Sequence, residues 1–284
     1  MTVNDYKKQF LTTLPAFYGE TEAVNLFYLT MEFVLGVNKA ACILNSSEQI
    51  SEQKIQQLQQ VTNRLQNNEP IQYIFEKAWF FGYEFRVSPA TLIPRPETEE
   101  LVDWVLTEMK KMPEKKWRVL DIGTGTGCIP ITIKKEFPLA TVSAIDVSEE
   151  ALKIAKENAE TLQAEIHFIQ QDILKTEELE TFDIIISNPP YVRNLEKEEI
   201  KGNVLQHEPH LALFVADNDP LIFYRKITEL AHKSLTENGM LFFEINQYLG
   251  KEMKEMVSEY YQTIELRKDL QGNDRMMKAT EVNR

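Results

Sequence analysis

The chain has few of the residues that build metal sites and disulfides. Its 284 residues include two cysteines and four histidines. Cys42 and Cys128 are far apart in sequence and each lies in a predicted helix, so we expect two buried free thiols in a reducing cytosol. The histidines show no spacing typical of metal ligands, and no metal site is predicted.

Long apolar segments are also missing. No run approaches the roughly 18 apolar residues of a membrane helix. The first ten residues, MTVNDYKKQF, lack the apolar core of a signal peptide. We therefore expect no membrane partner and a cytoplasmic location.

Basic residues are outnumbered, with 31 Lys and Arg against 44 Asp and Glu and a net charge of −13. Proteins that bind phosphate backbones usually have a basic surface, so the balance disfavours nucleic acid as a stable partner. It is compatible with a basic protein partner, or with solubility alone.

The chain is long enough for one large domain and a smaller one. Residues 1–69 show apolar side chains at helical spacing and predict a small N-terminal helical bundle. Its polar face is either solvated or a docking surface for a protein partner. The aromatic stretch 78–87, with Gly82 at a turn, predicts a β-hairpin, and residues 70–91 are interpreted as the linker between the two domains.

Residues 92–284 alternate between strand and helix patterns, which predicts a mostly parallel, doubly wound seven-stranded sheet of the α/β class. The predicted strands are 117–122, 140–146, 164–170, 182–187, 239–245, 263–268 and 275–280. The predicted helices are 128–137, 149–160, 220–235 and 249–260.

One stretch, FDIIISNPPY at 182–191, organises this second domain. Its isoleucines are typical of a strand buried on both faces, and its two prolines end the strand. Ligands of such sheets bind at the carboxyl ends of strands. The Asn188 side-chain oxygen and the Pro189 carbonyl are predicted to accept the two N–H groups of a planar amine or amide, with Pro190 stiffening the loop. Tyr191 is predicted to stack on the substrate; alternatively, it is a packed residue of a strand-ending turn.

The segment DIGTGTGC at 121–128 follows the first strand and opens a helix. Gly123, Gly125 and Gly127, with Thr124 and Thr126 between them, predict a loop on which a bulky ligand can lie. The spacing G-x-G-x-G differs from the G-x-G-x-x-G of dinucleotide sites, which disfavours a nicotinamide oxidoreductase.

Two aspartates extend this site. Asp146, at the end of the second strand, is predicted to bind both hydroxyls of a ribose, with a helix-capping role beside Ser148 as the alternative. Asp172 is either a contact to an adenine edge or a turn former, with Ile173 beside the ring. An adenosine ligand without a phosphate contact fits S-adenosylmethionine.

The segment LIPRPETE at 92–99 enters the first helix of the second domain through two prolines, and Thr98 and the glutamates are predicted to open that helix. Arg95 and Glu97 lie in this stiff segment. They are either functional or solvated charges at a helix start.

Together, GTGTG and NPPY resemble the class I, S-adenosylmethionine-dependent amino-methyltransferases. The segment at 92–99, with PIQYI at 70–74 and Glu208-Pro209, resembles more narrowly the peptide chain release factor glutamine N5-methyltransferases, the PrmC/HemK family. The resemblance covers nearly the whole chain. Three positions depart from the usual pattern of that family: Glu76 and Asn246 replace glycines, and Pro130 replaces a small residue.

The resemblance implies an enzyme with a Rossmann-like fold that methylates the glutamine of the Gly-Gly-Gln motif of class 1 release factors. By this analogy residues 123–127, Asp146, Ile173 and Asn188 bind the cofactor. The loop 188–191 holds the substrate glutamine, and the helical domain 1–69 docks the release factor. The methyltransferase domain is then 92–284.

Two other functions use the same motifs. The first is a nucleic acid amino-methyltransferase acting on adenine N6 or guanine N2, against which the net charge counts. The second is a scaffold that binds cofactor without catalysis, which the complete 188–191 loop disfavours.

Overall fold

A computed structural model describes residues 1–199 and 202–283, without the side chain of Glu199. The chain divides into two compact units, Met1–Glu76 with Lys201–His207, and Lys77–Ile200 with Glu208–Arg284. Both cysteines are free and buried, as predicted. Among the described residues, no helix has the length and apolar character needed to cross a membrane.

The first unit is helical, as its apolar spacing predicts. Thr2 starts the first helix by accepting from the Asp5 backbone N–H, while the Asp5 carboxylate accepts from the Thr2 N–H. The core includes Tyr6, Phe10 and Phe27. The helices are α1 (Val3–Thr13), α2 (Pro15–Tyr18), α3 (Glu20–Leu35), α4 (Lys39–Leu44), α5 (Glu52–Gln66) and α6 (Ile71–Phe75), with Gly202–His207 numbered α10 in chain order.

The hairpin is shorter than the predicted linker of residues 70–91. Its strands β1 (Lys77–Phe80) and β2 (Tyr83–Arg86) pair around Gly82, whereas residues 71–75 form α6. That helix forms because Pro70 precedes its first residue and because its apolar side chains pack into the first unit's core. The hairpin belongs to the second unit, where Phe80 and Phe85 are fully buried.

The second unit contains the predicted doubly wound sheet, so the fold-class prediction is confirmed. Its strands lie in the order β10-β11-β9-β6-β3-β4-β5. Among the described strands of this seven-stranded sheet, only the pairings of β11 with β9 and β10 are antiparallel. The strands are β3 (Arg118–Ile122), β4 (Thr141–Asp146), β5 (His167–Gln170), β6 (Phe182–Ser187), β9 (Leu235–Glu244), β10 (Tyr261–Lys268) and β11 (Asp274–Val282).

Helices complete this unit: α7 (Pro96–Met109), α8 (Cys128–Glu136), α9 (Glu149–Thr161), α11 (His210–Leu213), α12 (Ile222–Ser234) and α13 (Gly250–Ser258). Sequence patterns missed α10 and α11, and also the two-residue strands β7 (Val192–Arg193) and β8 (Phe214–Val215). Such short elements carry too few residues to show a period.

Strand β6 lies at the centre of the sheet and is buried along its whole length. Ile184 and Ile186 belong to the apolar core on one face, and Ile185 belongs to the core on the other. Because successive side chains of a strand point to opposite faces, an unbroken apolar run is what a sheet covered on both sides requires. The loop that follows β6 therefore starts from a firmly packed element.

Candidate active site

A cavity of about 330 Å³ lies at the carboxyl ends of β3, β4, β5 and β6, where the sheet topology predicts a ligand site. It is lined by the predicted residues Gly123, Thr124, Gly125, Thr126, Asp146, Asp172, Ile173, Asn188, Pro189 and Pro190. Two predicted site residues, Gly127 and Tyr191, do not line it. Residues 89–95 and Pro209, Leu211 and Ala212 form further walls.

The glycine loop, residues 123–127, is held in left-handed backbone conformations that favour glycine. At Gly125, φ is +53° and nothing lies within 4 Å of the position that a Cβ would occupy, so the loop presents bare backbone to the cavity. Gly127 does not line the cavity, and its predicted contact with the cofactor stays a prediction. It starts α8, and a Cβ there would lie 2.9 Å from Ile131 and 3.2 Å from Ala155, so it permits close helix packing.

Asp146 joins the glycine loop to the end of β4. Its carboxylate accepts from the Gly125 N–H at 2.8 Å and from the Ser148 N–H at 2.9 Å. The helix cap is Ser148, whose hydroxyl accepts from the Ala151 N–H. Burial raises the pKa of Asp146, and the backbone donors oppose the rise. Asp146 lines the cavity, and its carboxylate has further acceptor capacity for ligand hydroxyls.

Asp172 shows the capping role that the sequence left open. Its carboxylate accepts from the Leu174 N–H at 3.0 Å and pairs with Lys175 at 3.0 Å. The Lys175 ammonium, helped by the Leu174 N–H, lowers the pKa of this carboxyl. Asp172 also lines the cavity, beside the nearly buried Ile173. The cap and a contact to a ligand are therefore compatible.

A buried carboxylate that the sequence did not single out lies beneath the glycine loop. Asp121, the last but one residue of β3, is fully buried, and neither of its side-chain oxygens has a hydrogen-bond partner among the described residues. Burial raises the pKa of Asp121 to about 7; the nearby Thr124 hydroxyl opposes the rise, and the Asp146 charge adds to it. An acidic residue inside the apolar run at 119–122 was the available signal.

Asn188 is fixed by its amide group rather than by its oxygen. The side-chain NH2 donates to Glu244 Oε2 at 2.9 Å and to Thr98 Oγ1 at 3.2 Å. Because the Glu244 carboxylate is an acceptor, the orientation of the carboxamide is determined by chemistry. The Asn188 oxygen is left to accept from a ligand in the cavity that the residue lines.

Tyr191 does not line the cavity, and its stacking on a substrate stays a prediction. Its hydroxyl donates to Glu244 Oε1 at 2.9 Å, and its ring packs against the apolar core of the second unit. These contacts agree with the alternative of a packed tyrosine in a strand-ending turn. Burial raises its pKa, followed by the negative charge of Glu244. The Asn246 side chain donates to the Tyr191 carbonyl at 3.0 Å, so this departure from the family pattern supports the loop.

Glu244 was not predicted as a site residue. It ends β9, is 1% exposed, and accepts from Thr98, Asn188 and Tyr191. Burial raises its pKa, while the Thr98 and Tyr191 hydroxyls and the Arg275 charge oppose the rise. A glutamate inside the apolar run at 240–245 was the signal in the sequence.

The segment at 92–99 reaches the site from the other side. Helix α7 starts at Pro96, two residues earlier than predicted, with Arg95 as its cap residue, while the Thr98 hydroxyl donates to Glu244 at 2.6 Å. Thr98 therefore does not open the helix. Arg95 pairs with the buried Glu208 carboxylate, which also accepts from the Ile93 N–H.

Glu97 is placed differently from its neighbour Arg95. It does not line the cavity, and its carboxylate accepts from the Gln271 side chain at 3.5 Å. Arg95 lines the cavity and helps to join two of its walls, because Glu208 directly precedes the wall residue Pro209. The structure therefore separates two charges that the sequence treated together.

Comparison with known proteins agrees with this geometry. A family profile described as methyltransferase small domain matches residues 103–211, and one described as PrmC N-terminal domain matches residues 12–75. A crystal structure of a methyltransferase from Pyrococcus furiosus has a TM-score of 0.50 and 20% identity, covering 77% of this chain and 96% of that one, which supports the fold.

Two relatives are much more similar in sequence. A release factor glutamine methyltransferase of Bacteroides thetaiotaomicron is 45% identical over 94% of this chain and 96% of its own length. Another of Flavobacterium psychrophilum is 49% identical over 98% of this chain and 99% of its own length. The predicted resemblance is confirmed: the chain is an enzyme that belongs to the family of release factor glutamine methyltransferases.

Proposed function

We propose that this enzyme transfers a methyl group from S-adenosylmethionine to the side-chain nitrogen (N5) of the glutamine in the Gly-Gly-Gln motif of class 1 release factors. The observation that carries the proposal is the orientation of Asn188, whose amide group is held by Glu244 and Thr98 so that its oxygen remains as an acceptor. The names of the relatives support the substrate class.

The residues present fit the cofactor. The bare backbone at Gly125 leaves room for the ligand. The Asp146 carboxylate offers acceptors for ribose hydroxyls, and the apolar Ile173 offers a surface for a flat base. When bound, S-adenosylmethionine would supply an electrophilic methyl group on sulfur and leave as S-adenosylhomocysteine. The methylated nitrogen would then lose one proton. The proposal assigns cofactor binding to the residues Gly123 to Thr126, Asp146, Asp172, Ile173 and Asn188. Gly127 supports the packing of the loop.

The protein's own contribution is to orient a poor nucleophile. A glutamine side chain has two N–H groups, and the Asn188 oxygen and the Pro189 carbonyl would each accept one. Such positioning is worth roughly 7–11 kcal/mol in favourable cases. Acceptors aimed at the N–H groups also stabilise the positive charge that develops on nitrogen during transfer. Pro190 has no N–H, so it cannot compete for these acceptors.

Mass spectrometry tests the activity directly. We expect incubation of a recombinant class 1 release factor with this enzyme and the cofactor to add one methyl group at the Gly-Gly-Gln glutamine. A release factor with glutamate at that position is the matched control and should stay unmodified. Transfer of label from methyl-tritiated cofactor to DNA or rRNA, but not to the release factor, would instead support the nucleic acid alternative.

The role of the helical unit is a separate proposal: it docks the body of the release factor. Its support is the match of residues 12–75 to the PrmC N-terminal domain, together with exposed apolar side chains at Phe17 and Leu44. Changing either to serine should raise the KM for an intact release factor. The same change should leave the rate on a short Gly-Gly-Gln peptide unaltered. Equal effects on both substrates would contradict docking. The cytoplasmic location stays a prediction.

A further inference from the structure

Glu244 lies next to the substrate loop because of the sheet register. Strands β6 and β9 are parallel neighbours, and Ser187 is paired with Phe243. The residues that follow this pair, Asn188 and Glu244, therefore come side by side. Glu244 is 1% exposed and does not line the cavity, so a role in the reaction would act through the side chains that it accepts from.

An asparagine carboxamide can be turned by half a rotation, which exchanges its oxygen and its NH2 group. In one orientation Asn188 offers an acceptor to the substrate nitrogen. In the other it would offer donors to a group that is itself a donor. We infer that Glu244 is a positioning residue that selects the acceptor orientation of Asn188, and that it does so together with Thr98. This inference rests on the proposed function.

The Thr98 hydroxyl strengthens the selection. It donates its hydrogen to Glu244 Oε2 at 2.6 Å, which leaves the Thr98 oxygen as an acceptor for the Asn188 NH2 group at 3.2 Å. Both neighbours of the Asn188 amide are thus acceptors. This arrangement gives the segment at 92–99 a chemical role, because it brings Thr98 to the substrate loop.

The other Glu244 oxygen fixes the far end of the loop. Oε1 accepts from the Tyr191 hydroxyl at 2.9 Å, three residues beyond Asn188. Between these two contacts stand Pro189 and Pro190, whose rings restrict the backbone. One buried carboxylate therefore holds both ends of the loop that orients the substrate.

A reciprocal exchange of acid and amide tests the inference. In Glu244→Gln, the new amide can donate, so Asn188 loses its preferred orientation. We expect kcat to fall by about 10²-fold, the scale for losing one oriented polar group in an active site. In Asn188→Asp, two carboxylates face each other, and we expect a loss at least as large.

The double variant Glu244→Gln/Asn188→Asp restores a complete bond pattern with the donor on the other side. The glutamine NH2 introduced at position 244 would donate to the carboxylate introduced at position 188 and to Thr98. The glutamine oxygen would accept from Tyr191, and the second carboxylate oxygen would still face the substrate. We expect the double variant to be at least about tenfold more active than either single variant. A role for Glu244 that is independent of Asn188 would predict that the two losses add.

Controls separate the possible outcomes. Asp183→Asn removes a buried carboxylate at the opposite end of β6, where it accepts from the Arg118 N–H, and should leave kcat per folded molecule unchanged. Thr98→Val is a milder second variant and should lower kcat by about tenfold, the effect of losing one hydrogen bond. Cofactor affinity, measured by calorimetry, should change less than threefold in Glu244→Gln.

The inference is overturned if Glu244→Gln keeps kcat within twofold of the wild type. It is also overturned if the double variant is no more active than the worse single variant while binding cofactor normally. If Glu244→Gln does not fold, Thr98→Val takes its place, and a kcat within twofold of the wild type in that variant overturns the inference. A wild-type enzyme that methylates no release factor would contradict the proposed function instead, so the two failures are distinguishable.

Discussion

The glycine loop and the 188–191 loop are built by the same plan but held by different atoms. Each follows a central parallel strand, and each is held by a carboxylate at the end of the neighbouring strand: Asp146 of β4 for the first, Glu244 of β9 for the second. Asp146 accepts from backbone N–H groups, whereas Glu244 accepts from side chains. The first loop therefore depends on backbone shape and the second on residue identity.

The largest effect should come from the loop that depends on residue identity. Asn188→Ala removes the oriented acceptor and should lower kcat by about 10²–10³-fold. Cofactor affinity should fall much less, because the glycine loop and Asp146 are intact. Steady-state kinetics with a release factor, together with calorimetry of cofactor binding, would measure both. Near-normal turnover in this variant would contradict the difference drawn between the loops.

Asp146→Asn should have the opposite effect, because it should weaken cofactor binding more than it lowers kcat. The new amide group would face one of the N–H donors of Gly125 or Ser148, and one hydrogen bond to a charged group would be lost. Such bonds contribute about 1.5–3 kcal/mol, so cofactor affinity should fall roughly 10- to 100-fold. At saturating cofactor, kcat should be nearly normal. A loss confined to kcat would show that Asp146 acts like Glu244.

The buried Asp121 allows a test at the base of the glycine loop. Its pKa in the folded protein is about 7, above the usual value of 3.8, so the folded state binds the proton more tightly. Its contribution to stability is thus full below about pH 4 and is lost as the pH rises through about 7.

Asp121→Asn should therefore flatten the decline in unfolding free energy between pH 4 and 8, by up to about 4 kcal/mol. Urea denaturation at several pH values would measure this. The control is Asp183→Asn, because the pKa of Asp183 is lowered and its removal should not flatten the same range. If Asp121→Asn leaves the pH dependence of the unfolding free energy unchanged, the raised pKa of this carboxyl is contradicted.

The smallest expected effects are on stability, at two positions where the backbone is left-handed. Gly125→Ala should destabilise the protein by about 1 kcal/mol, because φ is +53° there. Glu76 ends α6 at a φ of +54° without being glycine. Glu76→Gly should stabilise the protein by roughly 0.5 kcal/mol. Thermal unfolding of both variants would show shifts of opposite sign, and equal signs would contradict the conformational explanation.

Sequence patterns predicted the elements that carry a clear period. The bounds of β6 agree with the prediction at both ends, and the other strands of the sheet differ only in their limits. A run of apolar residues and two prolines is enough to define β6 locally. Local patterns also predicted the glycine loop and the strand ends at which the cavity lies.

Sequence patterns could not predict the contacts that depend on which strands are neighbours in the sheet. Glu244 and Asn188 are 56 positions apart in sequence and meet only because β9 pairs with β6. Without that pairing, Tyr191 had no visible partner and was predicted to face the substrate. The Arg95–Glu208 pair has the same origin, since 113 positions separate the two residues.

The central position of β6 has a consequence for how the enzyme is inactivated by heat. A strand paired on both edges and covered on both faces opens only when the whole domain unfolds, so its amide hydrogens should exchange with solvent among the last in the molecule. The loop that starts from it is held at Asn188 and Tyr191 by Glu244 of the neighbouring strand β9. Loss of turnover on heating should thus coincide with global unfolding and not precede it.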